Sequence, residues 1–211
     1  VTVSNTGKPQ QDAAGISFAD FSTGADPRLT VTVTNSVISN NLNRGVNVRG
    51  QNASVTVSDS DILSNGSDPF GAGGNNGFGV YAGVGSRVEL YNNNIVNPVS
   101  QAGAFPVTAI FNGVAPASTI IANNNFIDDS GNGEVTHNTF DISFFDATCN
   151  WWGSSDVDDI DALVEGNVFF VPYLDDGTDD QPGTVGFQTS ANCINPTAWY
   201  VNDNAQTDDV F

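Results

Sequence analysis

Positive charge and helix-forming residues are scarce in this sequence. It has five Lys and Arg residues against 24 Asp and Glu, which gives a formal net charge of −19 at pH 7. Nucleic acid is excluded as a partner, because phosphate binding requires clustered Lys and Arg. Met is absent, Lys occurs once and Glu occurs three times, so few helix-favouring residues are available. These deficits predict an acidic, strand-rich protein.

Long apolar segments are also missing. No stretch is apolar over the ~20 residues that a membrane-spanning helix needs, and no signal peptide is visible. The chain begins directly with the strand-like Val1-Thr2-Val3, so we expect a processed protein or a piece of a longer one. The abundant residues are Gly, Asn, Asp, Ser, Thr and Val, which are typical of short strands and tight turns.

Only two cysteines occur, Cys149 and Cys193. They could be two free thiols of a cytosolic protein or one disulfide of an exported protein. We favour the disulfide, because the acidic, Lys-poor composition indicates export to an extracellular or cell-surface location.

One pattern returns in the same frame along the chain. Val31–Ile38 aligns without a gap on Val55–Ile62, and the frame recurs at Val88–Ile95 and Thr119–Phe126, while Val1–Asn5 fits its first half. Each unit has an apolar–polar–apolar start, an Asn/Asp/Ser corner and another apolar residue. Asn and Asp suit such a corner because they tolerate left-handed backbone conformations.

Equivalent positions of these units predict one internal column of apolar side chains. Its members are Val3, Val33, Val57, Leu90 and Ile121. We expect the asparagine runs at the later corners, Asn92–Asn94 and Asn123–Asn125, to form internal hydrogen-bonded ladders rather than ligand sites.

A second strand precedes several of these units. The candidates are Gly15–Phe18, Gly45–Val48, Gly79–Ala82 and Thr108–Phe111. No helix fits between the strands, which argues against alternating strands and helices. An antiparallel sandwich is the alternative, but it would not explain why one pattern returns in the same frame.

These units resemble the parallel β-helix repeat of pectate-lyase-like proteins, in which V-x-V-x-N-N-x-I marks successive turns. Thr148–Gly153 followed by Asn167–Leu174 also resembles the N-W-W-G … V-x-F-x-P-Y/W-L closure of bacterial surface β-helices. The resemblance implies an all-β, right-handed parallel β-helix, a solenoid over residues 1–174. That family has Asn where this chain has Cys149, which indicates that the cysteine serves a bridge.

Two features are predicted beyond the repeats. Asp156–Glu165 has apolar residues at helical spacing and predicts a short closing helix, with Ser154 or Ser155 as its N-cap and Gly166 after its end. Residues 175–211 are expected to be an acidic linker and an extended C-terminal tail, which could dock on a neighbouring subunit or module or could be disordered.

Two acidic clusters are candidate structural calcium sites, since hard oxygen ligands in flexible loops suit Ca²⁺. Neither cluster has the spacing of an EF-hand loop, and solvated surface charge is the alternative. The members are Asp156, Asp158, Asp159 and Asp161 in the first cluster, and Asp175, Asp176, Asp179 and Asp180 in the second.

Catalysis has weak support in the sequence. The resemblance implies a calcium-dependent polysaccharide lyase as an alternative, and such a site needs Arg or Lys as its base beside carboxylates. The best candidate is Arg49 near Asp59 or Asp61, but we expect no catalytic activity because the five cations are few and dispersed. The lone His137 does not predict a zinc site or a catalytic triad. Trp151 and Trp152 could stack on sugars, although core capping is the favoured interpretation.

We therefore expect a non-catalytic structural or adhesive module of a bacterial-type secreted or surface protein. It would associate end to end, with itself or with tandem modules, into a filament or fibre, without membrane insertion. A carbohydrate-active or glycan-binding β-helix, with surface glycans as partners, is the alternative. The expected contact residues are Val1, Val3, Trp199, Tyr200, Val201, Val210 and Phe211.

Overall fold

The structure is a computed structural model of the chain. It describes residues 1–4, 14–20, 22, 29–41, 44–65, 78–83, 85–96, 110–112, 118–127, 136–138, 145–165 and 168–196. This part of the chain is all-β with one short helix, and most of its strands are paired in parallel. No helix in these ranges is long and apolar enough to cross a membrane.

The strands and the helix are numbered in chain order. They are β1 (Thr2–Ser4), β2 (Ala14–Ala19), β3 (Leu29–Thr34), β4 (Val37–Ser39), β5 (Arg44–Arg49), β6 (Ala53–Ser58), β7 (Asp61–Leu63), β8 (Phe78–Gly83), β9 (Arg87–Tyr91), β10 (Asn94–Val96), β11 (Ile110–Asn112), β12 (Ser118–Ala122), β13 (Asn125–Ile127), β14 (Thr136–Asn138), β15 (Phe145–Asp146), α1 (Val157–Asp161), β16 (Val164–Glu165), β17 (Val168–Phe169), β18 (Tyr173–Leu174) and β19 (Cys193–Ile194).

Successive strands enter three parallel sheets in turn. The sheets have the orders β1-β4-β7-β10-β13, β2-β5-β8-β11-β14-β16 and β3-β6-β9-β12-β15-β17, and β18 and β19 form a separate antiparallel pair. Three successive strands, one in each sheet, make one rung, so that rung 1 is β1 to β3 and rung 5 is β13 to β15. This cyclic order is compatible with a β-solenoid, in which each repeat contacts only its neighbours.

The predicted apolar column is confirmed from Val33 onward. Val33 lies opposite Val57, Val57 opposite Leu90, and Leu90 opposite Ile121. Val57, Leu90 and Ile121 are fully buried, and each buried side chain contributes roughly 1.5–3 kcal/mol. The predicted second strands are confirmed where the structure describes them, because β2, β5, β8 and β11 pair side by side in one sheet. Thr108 and Ala109 of the fourth lie outside the described residues.

Val3 belongs to a different column, so this part of the prediction is wrong. Strand β1 pairs with β4, and Val3 lies opposite Ile38, the apolar residue that follows a corner. The sequence could not separate the two columns, because a three-residue strand with one central apolar residue fits both of them.

The predicted asparagine ladder is present in the core, at the corner between the third and first sheets. Asn93 Nδ2 donates to Asn124 Oδ1 over 2.9 Å, and Asn124 Nδ2 donates to Asn150 Oδ1 over 3.0 Å. The three asparagines are fully buried. In such a stack, each side-chain amide forms hydrogen bonds with the amides of the neighbouring repeats.

Each ladder amide also satisfies the backbone of the neighbouring rungs. Asn124 Oδ1 accepts from Asn93 N over 2.9 Å, and Asn124 Nδ2 donates to Leu90 O over 3.0 Å. Asn93 Nδ2 donates in the same way to Val57 O. The carbonyl groups of the apolar column are therefore paired by the ladder, which joins the two columns into one packed unit.

The closing helix is shorter than predicted and begins at a different residue. Its N-cap is Asp156, whose side chain accepts from Asp158 N, rather than Ser154 or Ser155. The helix ends at Asp161, and Val164–Glu165 forms strand β16 beside β14. Asp caps helices as well as Ser does, and pairing with the preceding rung draws the last predicted helical residues into a sheet.

The helix and the tryptophan motif cover the last rungs. Ile160 is fully buried, and Trp152 is 2% exposed with its ring centroid 4.9 Å from that of Phe126. The Phe170 ring lies 6.3 Å from that of Trp152 in an edge-on arrangement. The core-capping interpretation is thus confirmed for Trp152, whereas Trp151 is only partly buried.

Replacing the central ladder residue should destabilise the fold strongly. Asn124→Ala leaves Asn93 N buried without an acceptor and removes the hydrogen bonds of Asn124 Nδ2 to Leu90 O and Asn150 Oδ1. An unsatisfied buried group costs about 1–3 kcal/mol. Denaturant unfolding should therefore show a loss of about 3 kcal/mol or more. The matched control is Asn123→Gly, because Asn123 is exposed and its φ of 56° suits glycine. Equal stability of the two variants would contradict the role assigned to the ladder.

Candidate functional site

One corner of the molecule carries a column of left-handed residues on its outer side. Each of these residues follows a strand of the third sheet and has φ between 48° and 56°: Asn35, Asp59, Asn92, Asn123 and Cys149. Asn and Asp adopt this conformation more readily than other side chains. Cys149 therefore occupies a corner position that is Asn or Asp in the other described units.

The predicted disulfide is present at this corner. Cys149 and Cys193 are bonded, with their Cα atoms 5.1 Å apart and a separation of 44 positions in sequence. In the chain-entropy account, closing a loop of this length stabilises the fold by about 4 kcal/mol. A disulfide is typical of proteins in an oxidising compartment.

The segment that follows the last parallel strand lies against the same corner, and we call residues 175–196 the strap. Gly186 N donates to Asp61 Oδ1 over 2.9 Å, and Gly186 O accepts from Asn94 Nδ2 over 2.8 Å. Phe187 N donates to Asn92 O over 2.8 Å. The part of the tail that was expected to be a linker is thus seated on the chain's own third and fourth rungs.

Gly186 packs closely against the backbone of the corner. Its φ is 92°, and a Cβ atom there would lie 2.5 Å from Asp59 C and 2.7 Å from Asn92 O. Phe187, the next residue, is 1% exposed, and such burial contributes roughly 1.5–3 kcal/mol. The sequence analysis missed this contact, although the apolar–Gly–apolar triplet Val185-Gly186-Phe187 within a polar segment is a usable signal.

An open cleft of about 340 Å³ separates the strap from the corner. Its wall is mostly polar, and the side chains of Asn123, Asp180 and Gln181 have no hydrogen-bond partner among the described residues. The lining residues are Asn92, Asn123, Asp180, Gln181, Phe187, Gln188, Thr189 and Ala191.

The first predicted calcium cluster is used by the closing helix. Asp156 caps α1, and Asp159 Oδ2 accepts from Ser154 Oγ over 2.9 Å. Asp158 lies in the first turn, where negative charge suits the helix dipole, and Asp161 ends the helix.

Carboxylates of the second cluster fold the strap. Asp175 Oδ1 accepts from Asn192 N, Asp176 Oδ1 from Thr178 N and Asp179 Oδ1 from Gln181 N, while Asp180 is exposed. Within the described ranges, no three His, Cys, Asp or Glu residues are close enough to hold a metal ion. Calcium binding by either cluster stays a prediction.

The candidate catalytic pair is not brought together. Arg49 ends β5 and lies 5.2 Å from the centre of the Tyr81 ring, whereas Asp59 and Asp61 follow the far end of β6. Asp61 Oδ1 is occupied by Asn94 Nδ2 and Gly186 N. The burial of Arg44 was not predicted from the sequence: it is 1% exposed, and its guanidinium lies 4.2 Å from the centre of the same ring.

The remaining predicted residues are dispersed. His137 is in β14, opposite Phe111 and Glu165 in the second sheet. Val1 is 84% exposed and Val3 is partly buried, both at the free side of rung 1. Trp199, Tyr200, Val201, Val210 and Phe211 lie outside the described residues, so their role in self-association stays a prediction.

Two tyrosines have raised pKa values. Burial raises the pKa of Tyr173, and the nearby negative charge of Asp156 adds to the shift. Tyr173 Oη donates to Ser155 O over 3.0 Å, which fastens β18 to the loop before the helix. Burial also raises the pKa of Tyr91, followed by the charges of Glu89 and Asp146.

The close approach at Gly186 predicts how the strap can be detached. Gly186→Ala adds a Cβ into the backbone of Asp59 and strains a positive φ, so the contacts of Phe187 should be lost. Chymotrypsin should then cleave after Phe187 at least ~10-fold faster, a factor that corresponds to about 1.4 kcal/mol. Gly183→Ala is the control, because nothing lies within 4 Å of a Cβ there. Equal cleavage of the two variants would contradict this placement of the strap.

Tyr173 predicts a loss of stability in alkali. Because its folded pKa is raised, the unfolded chain loses the proton first, so stability is complete below the usual value of about 10 and falls above it. Tyr173→Phe should therefore flatten the dependence of the unfolding free energy on pH above ~10, measured by denaturant titration. An unchanged slope would show that ionisation of Tyr173 is not linked to unfolding.

Comparison of the chain with protein-family models, with curated proteins and with solved structures finds no match. The conclusions about function therefore rest on the geometry of this chain alone.

Proposed function

We propose that the chain is a right-handed parallel β-helix that serves as a non-catalytic structural or adhesive module of an extracellular assembly, joined end to end through rung 1. The observation that carries the proposal is a difference in burial between the first two rungs. In β3, the inward-facing Val31 and Val33 are partly exposed, whereas their partners Val55 and Val57 are 1% and 0% exposed.

Rung 1 also forms the free edge of all three sheets. Strands β1, β2 and β3 are the terminal strands of their sheets, and no described strand pairs with their outer sides. Unpaired edges with apolar neighbours favour pairing with another chain unless they are covered. Repeat proteins accordingly need covered terminal repeats.

The opposite end of the sheets is different. It is covered by α1, with Ile160 fully buried against the core that includes Trp152. Contacts between unlike ends are heterologous, and they generate filaments unless the rotation closes a ring. The difference between the ends therefore supports a fibre rather than a symmetric dimer, with residues 197–211 as the proposed docking segment.

Secretion is supported by the disulfide and by the net charge of −19, which keeps an exported protein soluble. Repulsion between such acidic copies should make association depend on salt, because added salt screens exposed charges. Calcium bound by the acidic clusters would likewise reduce the repulsion between copies and favour association.

The non-catalytic assignment is supported by the surroundings of the candidate carboxylates. Asp61 is engaged by Asn94 and Gly186, and Asp59 Oδ1 accepts from Asn92 Nδ2. Asp61 thus holds the strap, and Asp59 is bonded within the corner. A glycan-binding role for the outer surface is the second proposal from the sequence, and no contact among the described residues favours it.

A charge placed on rung 1 should abolish association. Val31→Lys puts an ammonium group where a docking surface must be desolvated, so light scattering should show monomers under conditions in which the intact chain forms oligomers. Thr32→Lys changes the net charge equally on the exposed side of the same strand and should associate normally.

Two further variants test the partners of this contact. Val1→Lys modifies a side chain that is 84% exposed, so its effect on association cannot come from misfolding. Deletion of residues 197–211 should leave a folded monomer if the tail docks on rung 1. The proposal fails if the intact chain is monomeric at high concentration, in low and high salt and with or without Ca²⁺.

A further inference from the structure

The strap is attached to the three sheets by few non-covalent contacts. Among the described residues, its hydrogen bonds to the sheets are the three made by Gly186 and Phe187. Its other hydrogen bonds are internal or join β18 and β19, as in the contact of Asn192 with Asp175. Phe187 is the only strap side chain in the described core that is fully buried.

These contacts are too few to order a segment of this length. Fixing the backbone of each residue costs about as much free energy as burying one apolar side chain contributes. The internal turns offset part of this cost, because they restrict the free strap as well. Ile194 adds a half-buried contact with the core, and Gly177 lies against the Trp151 ring. The covalent attachment is the bond between Cys193 and the corner at Cys149.

The position of Cys149 points to the same role. Its φ is 56°, in a column otherwise made of Asn and Asp. Cysteine lacks the short polar group that helps these residues adopt the left-handed conformation. Local backbone preference therefore does not account for a cysteine there, whereas attachment of the strap does.

The bond is open to attack from solvent. Cys193 is exposed and Cys149 is partly buried, both at the outer side of the corner. Thiol–disulfide exchange requires access of a thiolate to one of the two sulfur atoms. Cys193 is the more exposed of the two residues, so it is the expected site of attack.

We propose that the Cys149–Cys193 disulfide is a redox-sensitive fastening, whose reduction by a dithiol releases the strap while the three sheets stay folded. One thiolate of the dithiol attacks Cys193 Sγ, and Cys149 leaves as a thiolate. The second thiol then closes the dithiol into its own disulfide and releases Cys193. The protein gains two electrons and two protons, and the dithiol is oxidised by the same amount.

Release would uncover a row of groups suited to an extended backbone. Asp61 Oδ1 and Asn92 O would lose their N–H donors, and Asn94 Nδ2 would lose its carbonyl acceptor. These two acceptors and one donor would then face solvent, in the arrangement that now binds the backbone of the strap. This inference does not depend on end-to-end assembly.

Hydrogen exchange of the full chain tests the proposal. The amides of Gly186 and Phe187 report on the strap, and those of Asn93 and Asn124 report on the buried ladder. Dithiothreitol, the dithiol probe, should accelerate exchange at Gly186 and Phe187 at least ~10-fold and leave the ladder amides unchanged. Cys193→Ser should show the fast strap exchange with or without the dithiol, because it has no bond to reduce.

Two results would overturn the proposal. Equal protection of Gly186 and Phe187 in the oxidised and reduced chains would mean that non-covalent contacts hold the strap. Parallel loss of protection at Asn93 and Asn124 would mean that the disulfide maintains the whole fold. Both results can be measured on the reduced natural chain, so the test does not depend on folding of the serine variant.

Discussion

The rest of this structure depends on the buried amide ladder at one corner. Its side chains pair with each other and also with the backbone carbonyls of the apolar column, as in the bond from Asn124 to Leu90 O. A buried amide without partners is costly, so the ladder tolerates only the register in which every rung is aligned. Apolar stacking alone would permit rungs to shift, because a column of Val, Leu and Ile has no directional bonds.

The ladder fixes the outer side of the corner as well. Each residue before a ladder position must adopt a left-handed conformation for the next side chain to point inward, and this produces the column from Asn35 to Cys149. The strap uses that exposed column, since Gly186 lies on Asp59 and Phe187 N bonds to Asn92 O. Cys149 precedes the ladder residue Asn150, so the disulfide joins the strap to the same framework.

Sequence periodicity predicted the apolar column because the column is set by neighbouring residues within each repeat. An alternating strand followed by a polar corner gives the same local structure in every repeat. Equivalent positions therefore become partners, as they do at Val33, Val57, Leu90 and Ile121. The same logic failed for Val3, whose short strand matches two columns equally well. It also extended the helix too far, since pairing of Val164 with Thr136 in β14 is a long-range contact.

The sequence by itself determined the strand repeat and the inward asparagines, since both depend on residue types in a fixed frame. Only the tertiary structure decided where the strap lies, because Gly186 and Asp61 are 125 residues apart and no periodic signal links them. It also placed Arg44 and Arg49 on Tyr81 rather than beside Asp59 or Asp61. The physical reason is that a pattern fixes which face a side chain occupies, whereas the fold fixes which distant groups meet there.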